Sequence, residues 1–349
     1  MIILAVETSC DETSIAVLKI ENRRLDILSN IVSSQVKLHA KYGGVFPSLA
    51  KREHQKNLPI ILKKTIKKAD NPKIDIVAVI NGPGLEICLW QGINFAKDLA
   101  KKLRRPLVPV NHIEAHIIAN FISENSKFEI RNSNFFPAVC LVVSGGHTQL
   151  ILMKDIGKYK LIGETRDDAA GECFDKAARI LGLGYPGGPK VDAQAAKHQT
   201  QKPKYKINLP RPMIAAKNYD FSFSGLKTAV LYDFKNRPLK IKKSPLYVKE
   251  MCFEVQQAII DVLLRKTIKA AKDFKVKSII LGGGVAACQK LKERFKEKIE
   301  KEMPHTKYFV PDVKYCTDNA LMVALTAYFH RSRRTNWQKI SADANLKIG

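Results

Sequence analysis

No uninterrupted apolar run in this chain reaches the ~20 residues that a membrane-spanning helix needs. A transmembrane architecture is therefore excluded from the expectations. The seven cysteines, Cys10, Cys88, Cys140, Cys173, Cys252, Cys288 and Cys316, are odd in number, scattered and never in a CxxC pair. That argues against a disulfide framework and a cysteine-built zinc site, and leaves most thiols as small buried fillers. The pattern GxxxxGK[ST] does not occur, so a P-loop is excluded. No basic leader, cleavage site or Arg/Ser-rich transit segment precedes the apolar stretch Met1 to Val6, and a cytoplasmic protein with no membrane partner is the expectation. Acidic residues are in deficit: 33 Asp+Glu face 59 Lys+Arg, a net charge of +26. Such a surplus attracts polyanions, nucleic acid first among them, with a generally lysine-rich composition as the competing explanation. The basic runs are Lys63-Lys64 with Lys67-Lys68, Lys101-Lys102 with Arg104-Arg105, Lys290 through Lys301, and Arg331, Arg333 and Arg334. Any one of these alone reads as a solvated helix face.

What is present reads as α/β. A length of 349 residues suggests two lobes, placed at 1–122 and 123–349, with the C-terminal helix expected to return to the candidate metal site of the first. The first opens with strands at Ile2 to Glu7, Thr13 to Ile20 and about Leu25 to Ser33, then a helix from Pro47 to Ala69, a strand at Ile74 to Ile80 and a helix from Leu85 to Leu103. The second repeats the plan with strands at Ala138 to Val143, Thr148 to Met153 and Lys158 to Gly163. Helices follow at Ala170 to Leu181, from Asp192, and at Pro245 to Lys272. A strand at Ser278 to Leu281 precedes a basic helix to Lys301, and a last helix covers Asp318 to Arg331. Gln199 to Asp220, rich in Lys, Pro and Asn, reads as a loop. Two such blocks suggest an internal duplication with a cleft where the lobes meet.

Only eight histidines occur, and two lie four apart in Asn111-His112-Ile113-Glu114-Ala115-His116. On a helix they share one face, which lets both imidazoles reach one metal ion. Two surface histidines at helical spacing are the plainer alternative. Glu114 lies about 200° around the helix from His112, away from that face, so the base of a zinc protease is lacking. Asp318, at the start of the last expected helix, is the candidate third ligand; an ordinary N-cap aspartate is its plainer reading. Two imidazoles and a carboxylate suit Fe²⁺ or Zn²⁺.

Val142-Val143-Ser144-Gly145-Gly146-His147-Thr148 reads as a phosphate-facing hairpin, and Gly282-Gly283-Gly284-Val285 as a nucleotide-binding turn. In a duplicated chain they resemble the loops of the actin, sugar-kinase and heat-shock ATPase superfamily. A narrower resemblance rests on motifs in order: Glu7 to Thr13, the His112/Glu114/His116 helix, Val143 to Gln149, Asp167 to Glu172 with Phe174-Asp175-Lys176, Tyr185 to Pro189, Phe221 to Lys227, Gly283 to Ala287, and Thr317 to Ala320. Together they resemble the bacterial-type tRNA N6-adenosine threonylcarbamoyltransferases, the TsaD family, once described as glycoproteases.

The resemblance implies a reaction: transfer of a threonylcarbamoyl group from threonylcarbamoyl-AMP to the exocyclic amine of the adenosine 3′ of the anticodon, in tRNAs reading codons that begin with A. It implies His112, His116 and Asp318 as ligands of one divalent metal, Fe²⁺ before Zn²⁺. Val142, Val143, Ser144, Gly145, Gly146, Asp175, Gly188 and Asp192 become adenylate contacts, and Asp11 and Glu12 acid/base or tRNA-positioning residues. A paralogous scaffold subunit and a small ATPase are the implied partners beside tRNA. Two positions depart from the family pattern. Cys288 takes the place of an asparagine in the substrate set, and a thiol is a weak donor and acceptor. Ser48 follows Pro47 where glutamate is usual. A metalloprotease, a non-catalytic scaffold and an ATP-driven kinase or chaperone are the competing classes. The first lacks its base, and the scaffold paralogue lacks the histidine pair.

Overall fold

The structure, a computed structural model, describes residues 1–22, 24–122, 135–198, 203–332 and 337–349. Among the described residues the strands are β1 (Ile2–Glu7), β2 (Glu12–Glu21), β3 (Arg24–Ser34), β4 (Ile76–Gly82), β5 (Leu107–Asn111), β6 (Ala138–Val143), β7 (Thr148–Asp155), β8 (Lys158–Glu164), β9 (Ser278–Gly282) and β10 (Lys307–Phe309). The two most continuously apolar strands, β1 and β6, are buried along nearly their whole length. This is how a central strand covered on both faces reads. Each centres a five-stranded sheet, in the orders β3-β2-β1-β4-β5 and β10-β9-β6-β7-β8. In each, the central strand pairs antiparallel with the next in sequence, β1 with β2 and β6 with β7. On its other side it pairs parallel, with β4 or β9, and a further parallel strand, β5 or β10, closes that edge. The same plan twice is the duplication expected from the sequence.

The chain forms two compact units. One gathers the described residues of 1–134, 155–159 and 311–349; the other holds those of 135–154 and 160–310. The sequence boundary at 122/123 therefore assigns 311–349 differently from the structure. The reason is the Ala320–Phe329 helix, apolar on every side and almost wholly buried. A helix without a polar face needs cover all round, and this one packs on β1, β2 and the His112–Ile118 helix of the first unit.

Helices lie at Pro47–Lys68, Glu86–Leu103, Ala170–Ile180, Pro245–Asp273 and Gln289–Glu302, within two residues of the expected ends. The helix expected from Asp192 begins earlier and spans Gly187–Ala195. Strand β5 was not expected: it is five residues long with Pro109 in its middle. Proline costs a ladder donor, but β5 is an edge strand, where one side needs none. The three-residue β10 and the Ser224–Asn236 helix were likewise unread. The described part of the expected loop, 203–220, forms neither helix nor strand; 199–202 lie outside the described residues, as do Arg333 and Arg334 of the last basic run.

Candidate metal centre and glycine loops

Strand β5 ends at Asn111, whose side chain accepts hydrogen bonds from the amides of Ile113 (2.9 Å) and Glu114 (3.1 Å). This cap starts a seven-residue helix in which every residue is buried. His112 and His116 lie on one side of it, ring centroids 4.6 Å apart and nearly perpendicular. Asp318 meets them: its Oδ1 is 3.1 Å from His116 Nε2 and 3.6 Å from His112 Nε2. One ligand atom from each of the three residues falls within 4.8 Å of the others.

Asp318 reaches this place because it is not part of the helix that follows. The sequence reading started that helix at Asp318; the structure starts it at Ala320, with Asn319 as the cap, accepting from Leu321 N (3.1 Å) and Met322 N (3.2 Å). Asn319 thus takes over the work an N-cap aspartate would do, and the Asp318 carboxylate turns to the histidines. Asn319→Ala should cost about 1 kcal/mol of stability, the usual loss for a cap, read as a lower midpoint in urea unfolding.

Behind the histidines stands Glu7, the last residue of β1. Its Oε1 accepts from Ser9 N (2.5 Å), and Oε2 lies 3.3 Å from His112 Nδ1. A proton on Nδ1 donated to Glu7 leaves the Nε2 lone pair toward Asp318, a carboxylate–histidine arrangement of the kind that orients metal ligands. Burial opposes charge on His112, but the Asp318 and Glu7 carboxylates outweigh it and raise its pKa to about 9. A cation and that proton compete for the same ring. Glu114 faces elsewhere: its Oε1 takes a hydrogen bond from Tyr159 Oη (2.8 Å) and lies 2.8 Å from His330 Nε2.

Asp11 and Glu12 lie at the turn into β2. Asp11 is buried, and its Oδ2 has no hydrogen-bond partner among the described residues. Glu12 accepts from Ser34 Oγ (3.1 Å). Burial, then the Asp11 and Asp318 carboxylates, hold Glu12 well above the usual carboxylate range. The turn is fixed by backbone bonds from Gln35 N to Asp11 O (3.0 Å) and Leu85 N to Ser9 O (2.8 Å). A buried histidine, His54, adds to these. Its Nε2 donates to Cys10 O (3.0 Å), so its Nδ1 is the acceptor for Thr13 Oγ1 (2.8 Å). Burial lowers the pKa of His54, in keeping with that neutral tautomer.

In the second unit, β6 runs into the turn Ser144–His147. Ser144 N donates to His147 O (2.8 Å) and His147 N to Ser144 Oγ (3.1 Å). Val142 and Val143 are wholly buried and paired in the β6 ladder, so the open part of this stretch is Gly145–Gly146, with Ser144 half-buried. Ser144 O accepts from Gly171 N (3.2 Å), seating the turn on the Ala170–Ile180 helix, which also carries Asp175. A Cβ built on Gly145, Gly146 or Gly188 would meet no atom within 4 Å, so room is left beside these backbones. Asp175 Oδ1 accepts from Gly187 N (2.6 Å). Asp192 and Cys288 come together: Asp192 Oδ1 lies 3.4 Å from Cys288 Sγ and 2.5 Å from Gln256 Nε2. Burial, then the Asp192 carboxylate, push the Cys288 thiol up to about 12, so it stays protonated and donates.

Comparison with known proteins decides the family. The family model described as TsaD: tRNA N6-adenosine threonylcarbamoyltransferase matches residues 26–325. The chain belongs to the TsaD family. Proteins named tRNA N6-adenosine threonylcarbamoyltransferase match over its length. The one from Thermosipho africanus is 44% identical over 100% of both chains. That from Thermotoga neapolitana is 43% identical over 100% of both. The Persephonella marina protein is 46% identical, covering 100% of this chain and 96% of its own. Among solved structures, T. kodakarensis HypF aligns with a TM-score of 0.56 at 14% identity, over 97% of this chain and 49% of HypF. The chain thus spans about half of HypF, and at that identity the likeness speaks to the two-lobed fold alone.

The residues of this TsaD-family chain fit a divalent cation. His116 is 1% exposed, and neither of its ring nitrogens makes a well-directed hydrogen bond among the described residues, although Nε2 lies 3.1 Å from Asp318. A buried imidazole left so is costly in a pure protein site and natural in a ligand set. Reading spacing alone missed Glu7, His54 and Gln256 as supports. Glu7 ends an apolar strand, where a charged residue is a signal in itself; His54 and Gln256 sit inside helices and carry no local mark.

Proposed function

We propose that this chain moves a threonylcarbamoyl group from threonylcarbamoyl-AMP to the N6 amine of the adenosine 3′ of the anticodon, in tRNAs reading codons that begin with A. As a TsaD-family member it is an acyltransferase that modifies tRNA. The observation that carries the finer reading is the meeting of His112, His116 and Asp318 at one point. These three would hold one divalent ion, Fe²⁺ or Zn²⁺ by donor set, with iron favoured by the family resemblance. When bound, such an ion supplies Lewis acidity toward a carbonyl or phosphate oxygen.

The chain's own groups supply the rest. The backbone at Gly145, Gly146 and Gly188, with room beside it, would offer amides to phosphate oxygens. Asp175 and Asp192 accept hydrogen bonds from hydroxyls or base edges, and Cys288 contributes a weak donor. The amine forms a C–N bond to the carbamoyl carbon, the bond to the AMP oxygen breaks, and the amine gives up a proton. Asp11 and Glu12 are the groups proposed to take it, and the raised basicity of Glu12 suits a base working near neutral pH. A paralogous scaffold subunit and a small ATPase complete the proposal, which places the protein in the cytoplasm with its tRNA.

Mass spectrometry of nucleosides tests it. Wild type with those partners, threonylcarbamoyl-AMP and tRNA should yield threonylcarbamoyladenosine, and His112→Ala should not. Absence of product from wild type would overturn the activity reading.

A further inference from the structure

Two aromatic rings stand open to solvent in the first unit and do no packing that the fold requires. Tyr42 is 61% exposed and Phe46 51% exposed, and their ring centroids are 5.7 Å apart with planes tilted by 30°. The backbone is built to bring them together. Ala40–Tyr42 forms one helical turn that stops at Gly43, whose φ of +70° is the left-handed conformation glycine adopts freely. The chain doubles back, and Phe46 then caps the Pro47–Lys68 helix. His39, wholly buried, fixes the loop from beneath: its Nδ1 accepts from Phe46 N (3.2 Å), so its Nε2 donates to Gln35 Oε1 (3.1 Å). Gln35 in turn donates its backbone amide to Asp11 O (3.0 Å). The rings are therefore two buried side-chain links from the Asp11–Glu12 turn, on a rigid support.

Along this segment the charge is mostly of one sign. Residues 36–56 contain five Lys or Arg and one acid, Glu53. Lys37, Lys41, Lys51 and Arg52 are exposed, and none forms an ion pair among the described residues. Ser48, beside Phe46, stands where the family pattern has glutamate, so this chain carries one negative charge fewer there. Exposed aromatics set among unpaired cations fit a single-stranded nucleic acid, whose bases stack while its phosphates meet the cations. A duplex, with bases stacked inward, offers the cations its phosphates but gives the rings nothing.

We propose that Tyr42 and Phe46 form a stacking platform for an unstacked base of the tRNA anticodon loop, flanked by Lys37, Lys41, Lys51 and Arg52 on the phosphates. This rests on tRNA being the substrate, and it adds the surface that takes the loop. Stacking holds a neighbouring base out of the loop's own stack, which exposes the target adenosine.

The test measures equilibrium binding of a synthetic anticodon-arm hairpin, and of the same arm with its loop closed into duplex, without threonylcarbamoyl-AMP. Tyr42→Ala and Phe46→Ala should each weaken hairpin binding by about tenfold, the usual effect of losing one stacked ring, and leave duplex binding unchanged. Tyr42→Phe should bind as wild type. The slope of affinity against salt should stay as in wild type for the ring variants and flatten for Lys41→Ala with Lys51→Ala. Both rings are more than half exposed, so thermal melts of the ring variants should match wild type. Hairpin affinity unchanged in both alanine variants would overturn the platform, as would equal loss for hairpin and duplex. So would a ring effect confined to binding of another protein. If the rings matter for the hairpin but wild type forms no modified adenosine, the platform stands and the activity reading falls. If wild type modifies tRNA and the rings are indifferent, the reverse holds.

Discussion

His116→Ala should abolish binding of the proposed cation and lower threonylcarbamoyl transfer by at least about 100-fold, since even the outer partners of metal ligands cost 10–100-fold when removed. Of the three ligand residues, His116 is the one with no second tie. His112 is held by Glu7 at 3.3 Å, and Asp318 also lies 3.5 Å from Ser9 Oγ. His116 has Asp318 alone, at 3.1 Å, and two buried ring nitrogens without a directed hydrogen bond among the described residues. Its polar atoms therefore contribute little to the metal-free fold, where an unsatisfied buried group costs about 1–3 kcal/mol. Removing them relieves that cost and leaves a small cavity, and these effects oppose each other. The metal-free variant should melt close to metal-free wild type, while metal content by elemental analysis falls to background. A variant that keeps its metal, or one that loses activity only because it unfolds, would remove His116 from the ligand set.

The histidine pair of the candidate metal centre was legible in the sequence because its geometry is local. His112 and His116 share a face through the helical period alone, and Glu114 falls outside it by the same arithmetic. The duplication was legible too, because β1 and β6 are short apolar runs followed by polar turns. Asp318 was named for its place at a helix start, but the physical reason was different: Asn319 supplies the cap, and a helix that starts two residues later, at Ala320, frees the carboxylate. What stayed hidden depends on tertiary placement. Strand β5 carries Pro109, which a sheet tolerates only at an edge, and which strand is the edge is set by tertiary placement. The Ala320–Phe329 helix was counted with the second lobe, though expected to return to the metal site; its apolar surface is covered by β1, β2 and the His112–Ile118 helix. His54 and His39 are ordinary in the sequence. They matter because hydrogen bonds from buried imidazoles fix one turn and one loop, and only coordinates show that.

Gly283→Ala should be the most damaging single change in the glycine loops, and Gly145→Ala should separate stability from binding. Val142 pairs with Gly282 across the parallel β6–β9 ladder, so the next residue on each strand, Val143 and Gly283, comes close as the ladder ends. Gly283 has φ +88°, and a Cβ there would lie 2.3 Å from Val143 O and 2.8 Å from its carbonyl carbon. Both atoms are backbone and cannot swing aside. Relief requires moving Val143, and with it Ser144, the start of the proposed phosphate turn. Left-handed strain and overpacking each cost about 1–3 kcal/mol, so roughly 2–6 kcal/mol is expected in all. At about 2–4 °C per kcal/mol, the melting temperature should fall by roughly 4–24 °C. At Gly145 a Cβ meets no atom within 4 Å. Its alanine variant should melt as wild type, yet bind a non-hydrolysable adenylate roughly tenfold more weakly, because the added methyl occupies space the ligand needs. Melting curves and adenylate titrations on both variants decide the matter. A Gly283→Ala protein that melts like wild type would show that β6 and β9 do not depend on this close approach. A Gly145→Ala protein with unchanged affinity would show that the open side of the Ser144–Gly146 turn is not where the adenylate lies.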